Sequence, residues 1–586
     1  PYFHGAKFTF MKQLTRVLLG FTLLISRAAL FAQITFPISA PSDERSGLHA
    51  FTHATIYTDY KTSVDNATLL IKDGKVVAAG TNVSIPKDAA VHDCTGKTIY
   101  PAFIDLYAGA YGLPVVATPQ PGSFRQQPSP AKKGAFAWND ALHPEYNAVE
   151  TFTNDAKAAE EMRKLGFGAV LTHQADGISR GTGALVTLND EREHEQILLG
   201  KAAHFLSFRK GSSTQGYPSS LMGCIALIRQ TYLDGQWYKL EGFKKEKNLS
   251  LEAWNALLDL PQIFESTEKL DQLRIARIGQ EFGVKYIVKS AGDDYQRLPE
   301  IVATGQALIV PLNFPEGFDL RDPYSALNTS LRDLKHWEMA PSNPARVQGA
   351  GIPFALTTNG LRDKNKFWEN LRKAVEYGLT EETALKALTY NPATFIRAYD
   401  QVGSLEPGKV ASFIIAGGNL FKPEGKIYQN WVKGNVFEVT PEKAFPADGL
   451  GVYDLKVGTT SYTLTIKGKP DAPEAQIMRA DSSKTKATLS YSASRVVVLS
   501  FQIDTVKKTT VSLSGVAGLK EWAGQGTLPD GTWTDWKATF VKPAGENKPG
   551  KQAPVVKPET GDLIYPFTAF GWKEKPVQKT VLIQNA

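Results

Sequence analysis

The sequence predicts an α/β protein in which a (β/α)₈ TIM-like barrel is inserted into a small composite β-sandwich and is followed by an all-β module. Apolar β runs alternate with amphipathic helical segments over about 250 residues in the centre of the chain. Short strands separated by turn residues flank that interval on both sides, and short alternating strands dominate after residue 440. The alternation alone leaves a doubly wound open sheet as the alternative for the central interval.

The composition is that of an ordinary globular chain. Its 586 residues are 42% hydrophobic and 21% charged, which suffices for two or three domains. The net charge of +7 is spread along the chain without a long basic run, so we predict no nucleic-acid partner. Cys94 and Cys224 stand in unrelated contexts, and we expect them to be buried free thiols, neither a disulfide nor a thiolate metal site.

Residues 1–32 have the pattern of an upstream stretch followed by a secretory signal peptide. Met11 opens a short basic region, an apolar run covers residues 17–25, and small residues lead to Ala32. The apolar run is far shorter than the roughly 20 residues that a membrane span needs. We therefore expect export to the periplasm or secretion, and no membrane span.

The sandwich is predicted from two separate parts of the chain. Residues 48–100 contain three short apolar strands, and the Asp73-Gly74 dipeptide between two of them is typical of a tight hairpin turn. Residues 401–437 repeat this pattern of strands and turn residues. Residues 101–400, which lie between these parts, are predicted to form the barrel.

Three further segments follow. Strands that alternate or run apolar between turn residues predict the all-β module over residues 440–541. Residues 542–579 are predicted to be a linker that begins rich in proline and lysine. Residues 580–586 have the pattern of an opening strand whose pairing partner is missing.

Four ordered motifs stand at residues 71–80, 96–105, 379–393 and 403–409. They resemble the opening hairpin, the lead into the first barrel strand, the last helix and the return into the sandwich of the metal-dependent amidohydrolase superfamily, in particular its imidazolonepropionase-like members. The resemblance covers about residues 48–437 and favours the barrel over the open sheet. It implies hydrolysis of non-peptide C–N bonds, in amides or cyclic amides, and a small-molecule substrate.

The chain departs from the family where the resemblance implies metal ligands. Tyr107 and Gly109 stand where the family has two histidines that share a divalent ion, and Asn359 stands where it has a catalytic aspartate. Tyrosine is a poor ligand at neutral pH, glycine has no side chain, and an amide cannot act as a general base. We therefore predict no metal site and no catalytic residue in this barrel.

Two residues remain as candidate substrate-binding groups. His173 follows a predicted strand at the end where barrel active sites form, and Arg180 lies in a glycine-rich segment over residues 179–183. That segment is an anion cradle on one interpretation and a tight turn on the favoured one. A residual mononuclear metal site from His173, His204 and Asp176 is the minor alternative to structural histidines. The acidic pair Asp293-Asp294 is interpreted as a solvated helix start.

The last residues suggest a wider architecture. Residues 580–586 are similar to residues 51–56, so we interpret the chain as the N-terminal degenerate copy of a secreted two-barrel amidohydrolase. A zinc-like divalent metal is then expected only in the missing second barrel of the same polypeptide, and this chain alone is expected to be inactive. The alternative is a non-catalytic ligand-binding or scaffold barrel.

Overall fold

The computed structural model describes residues 47–117, 127–441, 449–469, 472–492, 495–504, 509–518, 520–543, 558–563 and 577–584. The predicted signal peptide at residues 1–32 lies outside these ranges, as do residues 585 and 586 of the predicted second copy. Among the described residues, no helix has the length and apolar character to cross a membrane.

Sixteen strands lie in the described residues up to residue 441. Five precede the central interval, namely β1 (Leu48–Tyr57), β2 (Ser63–Lys72), β3 (Lys75–Gly80), β4 (Ala90–Asp93) and β5 (Lys97–Pro101). Eight lie within it, namely β6 (Phe103–Asp105), β7 (Phe167–Thr172), β8 (Ser179–Thr187), β9 (Ile197–Ser207), β10 (Gln262–Glu265), β11 (Tyr286–Lys289), β12 (Ala307–Pro311) and β13 (Phe354–Thr357). Three follow it, namely β14 (Phe413–Gly417), β15 (Lys426–Val432) and β16 (Asn435–Glu438).

The strands on the two sides of the central interval share one eight-stranded sheet. Its order is β16-β15-β14-β5-β1-β2-β3, with β4 paired to β1. The antiparallel pair of β5 and β14 joins the two parts of the chain. Asp73 and Gly74 both adopt positive φ, as the hairpin between β2 and β3 requires. The apolar side chains of Phe51, Phe413 and Trp431 pack together on one face of this sheet.

The central strands form a second sheet in the order β6 to β13. All its neighbouring pairs are parallel except those of β8, which runs antiparallel to both β7 and β9. The predicted sheet was parallel throughout, so β8 is a correction. Only residues 173–178 separate β7 from β8, and this loop is too short for the crossover that a parallel neighbour needs.

The segment at residues 179–183 belongs to this reversed strand and is not the predicted turn. Every residue of β8 is buried. Gly181 has a φ of 70° and a backbone that passes close to the carbonyl oxygen of Tyr146, where a side chain would clash. The register of β8 against β9 shifts at both ends of this segment. The glycines therefore form an irregular stretch within a strand.

Thirteen α-helices lie in the described residues, most of them between the central strands. The last helix motif of the sequence, at residues 379–393, corresponds to two helices, Glu381–Leu388 and Tyr390–Phe395. The helices are α1 (Ala148–Thr151), α2 (Ala156–Lys164), α3 (Glu193–Gln196), α4 (Leu221–Leu240), α5 (Leu249–Leu257), α6 (Lys269–Phe282), α7 (Leu298–Thr304), α8 (Pro323–Asn328), α9 (Leu331–Met339), α10 (Asn343–Gly349), α11 (Lys366–Glu376), α12 (Glu381–Leu388) and α13 (Tyr390–Phe395). Short 3₁₀ turns cover Gly242–Lys244, Asp294–Gln296 and Ala340–Ser342.

The C-terminal all-β part is a closed antiparallel barrel of eight strands. Buried and exposed residues alternate along its strands, as the two-residue period of a β-strand dictates. Tyr453, Trp522 and Trp536 are among the buried side chains that fill its interior. The strands are β17 (Gly451–Val457), β18 (Thr460–Lys469), β19 (Ala472–Met478), β20 (Lys484–Tyr491), β21 (Val496–Asp504), β22 (Thr509–Ala517), β23 (Glu521–Thr527) and β24 (Trp533–Pro543).

Two described segments follow this barrel. Within the predicted linker, Arg346 Nη2 donates to Thr560 Oγ1 at 3.2 Å, and the amide of Gly561 donates to Glu338 Oε1 at 2.7 Å. The linker thus contacts the helices of the central interval. Residues 577–584 form no strand, in contrast to the opening strand predicted at 580–586, and Ile583 is exposed.

Candidate ligand site at the strand ends

Asp105 is a buried carboxylate that joins the first and last strands of the central sheet. Its Oδ1 accepts from the amide of Tyr107 at 2.9 Å and from Thr357 Oγ1 at 2.6 Å. Its Oδ2 accepts from the amide and the hydroxyl of Thr358, at 2.9 and 2.7 Å. Asp105 is fully buried, so these four bonds replace the water that the carboxylate has lost. Since both oxygens are engaged in structure, Asp105 is a positioning residue.

Tyr107 and Gly109 lie beyond the end of β6, which stops at Asp105. Gly109 has a φ of 74°, outside the range of strand residues, and its carbonyl accepts from the amide of His173 at 3.0 Å. Tyr107 is 3% exposed. Tyr107 and Gly109 therefore do not form the pair of strand residues on one face that the family resemblance implies.

A buried ion pair joins the start of β8 to the end of β10. Arg180, at the start of the reversed β8, donates from Nη2 to Glu265 Oε2 at 2.7 Å and from Nη1 to the Tyr107 hydroxyl at 2.8 Å. Its Nε donates to the carbonyl of Gly177 at 3.2 Å. The side chain of Arg180 is 3% exposed and that of Glu265 is 15% exposed. The guanidinium is thus held in one orientation by three partners.

Arg180, Glu265, Tyr107 and Lys289 form a cluster at the strand ends, and its charges set the protonation states of these side chains. Burial opposes the charge of the Glu265 carboxylate, but Arg180 and Lys289 outweigh it and lower the pKa of Glu265. Burial raises the pKa of the Tyr107 phenol, and Arg180 only partly offsets it. Burial also lowers the pKa of Lys289, whose ammonium is 5.7 Å from the centre of the Tyr107 ring. Near neutral pH, Glu265 is therefore ionised and Tyr107 is neutral.

His173 is brought into contact with this cluster. Its ring stacks on Phe205 at 3.8 Å between centres and is 4.5 Å from the ring of Tyr107. Neither ring nitrogen has a hydrogen-bond partner among the described residues. Burial, together with the charge of Arg180, lowers the pKa of His173 well below its usual value. The two predicted substrate-binding residues thus lie at the same place, with Tyr107 between them, and the imidazole is neutral.

His204 has a different environment. It accepts from Ser179 Oγ at 2.9 Å, and its other ring nitrogen is 2.8 Å from Gln262 Oε1. The contacts from Ser179 through His204 to Gln262 resemble a serine–histidine catalytic relay. However, Ser179 and His204 are fully buried, and the imidazole faces Trp254 of α5. Burial lowers the pKa of His204 to about 4. A relay without access to a substrate is structural.

The residual metal site proposed from sequence is not assembled. Both nitrogens of His204 have partners, and Asp176 accepts from the amide and hydroxyl of Ser212, at 2.6 and 2.7 Å. In the described ranges, no three His, Cys, Asp or Glu side chains form a group suited to a metal ion. At the strand ends, the cations Arg180 and Lys289 also oppose a second positive charge. This donor set does not fit a divalent ion.

A cleft of about 360 Å³ opens beside the cluster. Arg180 contributes to its wall, and so do Gln174 and Asp176 from the loop between β7 and β8. His143 and Glu145, from the long connection between β6 and β7, also line it. Such a cleft at the carboxyl ends of the strands is the usual position for ligands in this kind of sheet.

The acidic pair Asp293-Asp294 follows β11 and is not solvated as predicted. Asp294 is fully buried and accepts from Ser290 Oγ at 2.9 Å and from Asn343 Nδ2 at 2.8 Å. Asp293 Oδ1 is buried without a hydrogen-bond partner among the described residues. Burial, together with the charge of Asp294, raises the pKa of Asp293 to about 6.

The variant Asp293→Asn is expected to stabilise the protein at pH 7.5 by about 1–2 kcal/mol. It removes a carboxyl group that has a raised pKa and is ionised at this pH. A carboxyl with a folded-state pKa above its unfolded value loses stability as the pH rises between the two values. At pH 4.5 the gain should therefore be small. Urea unfolding at pH 7.5 and at pH 4.5 measures the change in the free energy of unfolding. The control is Asp259→Asn, which replaces an exposed carboxylate. Equal effects of Asp293→Asn at the two pH values would contradict the charge argument.

Two members of the cluster were not predicted as site residues. Glu265 is the last residue of β10, and Lys289 is the last residue of β11. A charged residue that ends a short buried strand is the signal that could have identified them, because such positions face the ligand side of a parallel sheet.

The fold and the site together define a mixed α/β protein with a composite flanking sheet, and the strand ends of its central sheet carry an arginine–glutamate pair. Residues 342–440 match the model of the amidohydrolase family. The amidohydrolase from Thermotoga maritima MSB8 is similar in structure, with a TM-score of 0.50 and 22% identity over 66% of this chain and 99% of that chain. The family match thus covers residues 342–440, and the likeness to the solved structure concerns the fold.

Two further solved structures are similar at lower scores. Molinate hydrolase has a TM-score of 0.39 and 12% identity over 67% of this chain and 95% of that chain. Phenylurea hydrolase B has a TM-score of 0.39 and 14% identity over 67% of this chain and 97% of that chain. No curated protein matches the chain.

Proposed function

We propose that this barrel is a metal-free ligand-binding member of the amidohydrolase superfamily and does not itself hydrolyse amides. The observation that supports this proposal is the buried Arg180–Glu265 pair, with Tyr107 bonded to the same guanidinium. These side chains lie at the strand ends, where the family resemblance implies metal ligands. Their hydrogen bonds are directed at one another, so they offer no ligand set for a metal.

The same side chains are poor substitutes for a metal-activated water. Amide hydrolysis needs a base to activate water and a group to stabilise the oxyanion. Glu265 has a lowered pKa and is held by Arg180, so it is a weak base. The imidazole of His173 is buried against Phe205, and the side chain at position 359 is an amide. A ligand in the cleft would therefore be bound without being cleaved.

The second candidate function belongs to the full-length protein. On this proposal it hydrolyses non-peptide C–N bonds of a small amide or cyclic amide, and a second barrel of the same polypeptide holds a zinc-like metal. The amidohydrolase-family match at residues 342–440 favours it. This barrel would then be its structural or regulatory half. Export to the periplasm or beyond, suggested by the pattern of residues 1–32, remains part of the same proposal.

The test measures bound metal and turnover in the purified chain. We expect zinc far below one equivalent by mass spectrometry of the elements, and no hydrolysis of amide or cyclic-amide substrates with or without added zinc. Near-stoichiometric zinc, or turnover by the chain, would overturn the proposal. The variant Glu265→Gln is the control for contamination, because turnover at this site must respond to the loss of its carboxylate.

A further inference from the structure

Lys289 is a buried cation that forms no direct ion pair with the described residues. It ends β11 at the ligand side of the central sheet and is 8% exposed. Its ammonium faces the Tyr107 ring, and no hydrogen bond or ion pair to it is formed by the described residues. Buried charges are normally paired, because an unpaired charge loses its hydration without compensation. An anion bound at this amine would therefore supply the missing compensation.

The acids near Lys289 are engaged elsewhere. Glu265 accepts a hydrogen bond from Arg180, and Asp294 accepts from Ser290 and Asn343. The charges of Arg180 and Arg209 both act against the ammonium of Lys289. With Arg180, Arg209 and Lys289 against Glu265 and Asp294, the cluster carries an excess of positive charge. An anion is the complement that such a cluster attracts.

We propose that Lys289 binds the carboxylate of a small organic acid at the ends of the central strands. The proposal rests on the metal-free binding function proposed above and names its class of ligand. The ring of Tyr107 lies beside the amine, with its centre 5.7 Å from the ammonium. The ammonium suits the carboxylate of such an acid, because each charge then compensates the other.

Benzoate is the probe, and benzamide is its neutral counterpart of nearly equal shape. Saturation-transfer NMR with the purified chain measures the dissociation constant of each. We expect benzoate to bind at least about tenfold more tightly than benzamide, the effect of one lost charge-assisted contact. The variant Lys289→Met should lose that preference. The matched control Lys285→Met replaces an exposed lysine that directly precedes β11 and should retain it.

A second measurement needs no variant. Reductive methylation of lysines, read by peptide mass spectrometry, should be slowed at Lys289 by benzoate and left unchanged at Lys285. Equal binding of benzoate and benzamide, no binding of benzoate, or full binding by a folded Lys289→Met would each overturn the proposal. Those results leave zinc content and hydrolysis unaffected, so they are distinct from a failure of the metal-free function itself.

Discussion

Replacing Asp105 with alanine is expected to lower the free energy of unfolding by about 3–5 kcal/mol, the range for breaking a buried charged network. The variant leaves the amides of Tyr107 and Thr358 and two threonine hydroxyls without their acceptor. Those donors lie at the ends of the first and last strands of the central sheet or just beyond them. The loss therefore acts where the two ends of the sheet meet.

Urea unfolding followed by circular dichroism measures this effect. The control is Asp88→Ala, which removes an exposed carboxylate and should change the free energy of unfolding by no more than about 0.5 kcal/mol. Asp105→Asn keeps one acceptor oxygen but places an amide group near the Thr358 donors, so it should fall between the two. If Asp105→Ala were as stable as the control, Asp105 would not join the ends of the sheet.

Glu265→Gln is expected to destabilise the protein by about 3 kcal/mol at pH 7, because it leaves the guanidinium of Arg180 buried without its counter-ion. Arg180 is 3% exposed, so water cannot replace the lost carboxylate. The pKa of Glu265 is lowered in the folded protein, so its contribution is present above the unfolded value of about 4.3 and is lost as the pH falls through the folded pKa. The gap between wild type and variant should close in acid.

The double variant Arg180→Met with Glu265→Gln is expected to recover part of this loss, since removing both charges destabilises the protein less than leaving one of them buried and unpaired. An exposed pair serves as the matched control. Arg229 and Glu281 also form an arginine–glutamate ion pair, with side chains 51% and 39% exposed. Glu281→Gln should cost less than about 1 kcal/mol. Equal losses for Glu265→Gln and Glu281→Gln, measured by thermal unfolding, would contradict the burial argument.

The mixed α/β character and the all-β C-terminal part could be predicted from periodicity. The 3.6-residue pattern of residues 270–281 predicted a helix, and α6 covers the same stretch. The reversed β8 was missed because Gly181 and Gly183 are typical of turns, whereas here a close backbone approach requires them. Strand direction depends on the length of the preceding loop, which a local pattern does not reveal.

The site was predicted in part. The substitution at position 107 and the candidates His173 and Arg180 could be found from the sequence, and the structure brings all three together. Glu265, the ion-pair partner of Arg180, could not, because this contact joins residues 85 positions apart. Only the fold reveals that the two charges meet, and only burial shows that they are a pair and not two solvated side chains.

The pair of β5 and β14 has a consequence for the order in which the chain folds. Pro101 is opposite Phe413, so every hydrogen bond of this pair closes a loop that contains the whole central interval. The entropic cost of such a closure is met only when the interval is already compact. We therefore expect this pairing to be the late, rate-limiting step of folding, and the composite sheet to be the last part of the protein to gain protection from hydrogen exchange.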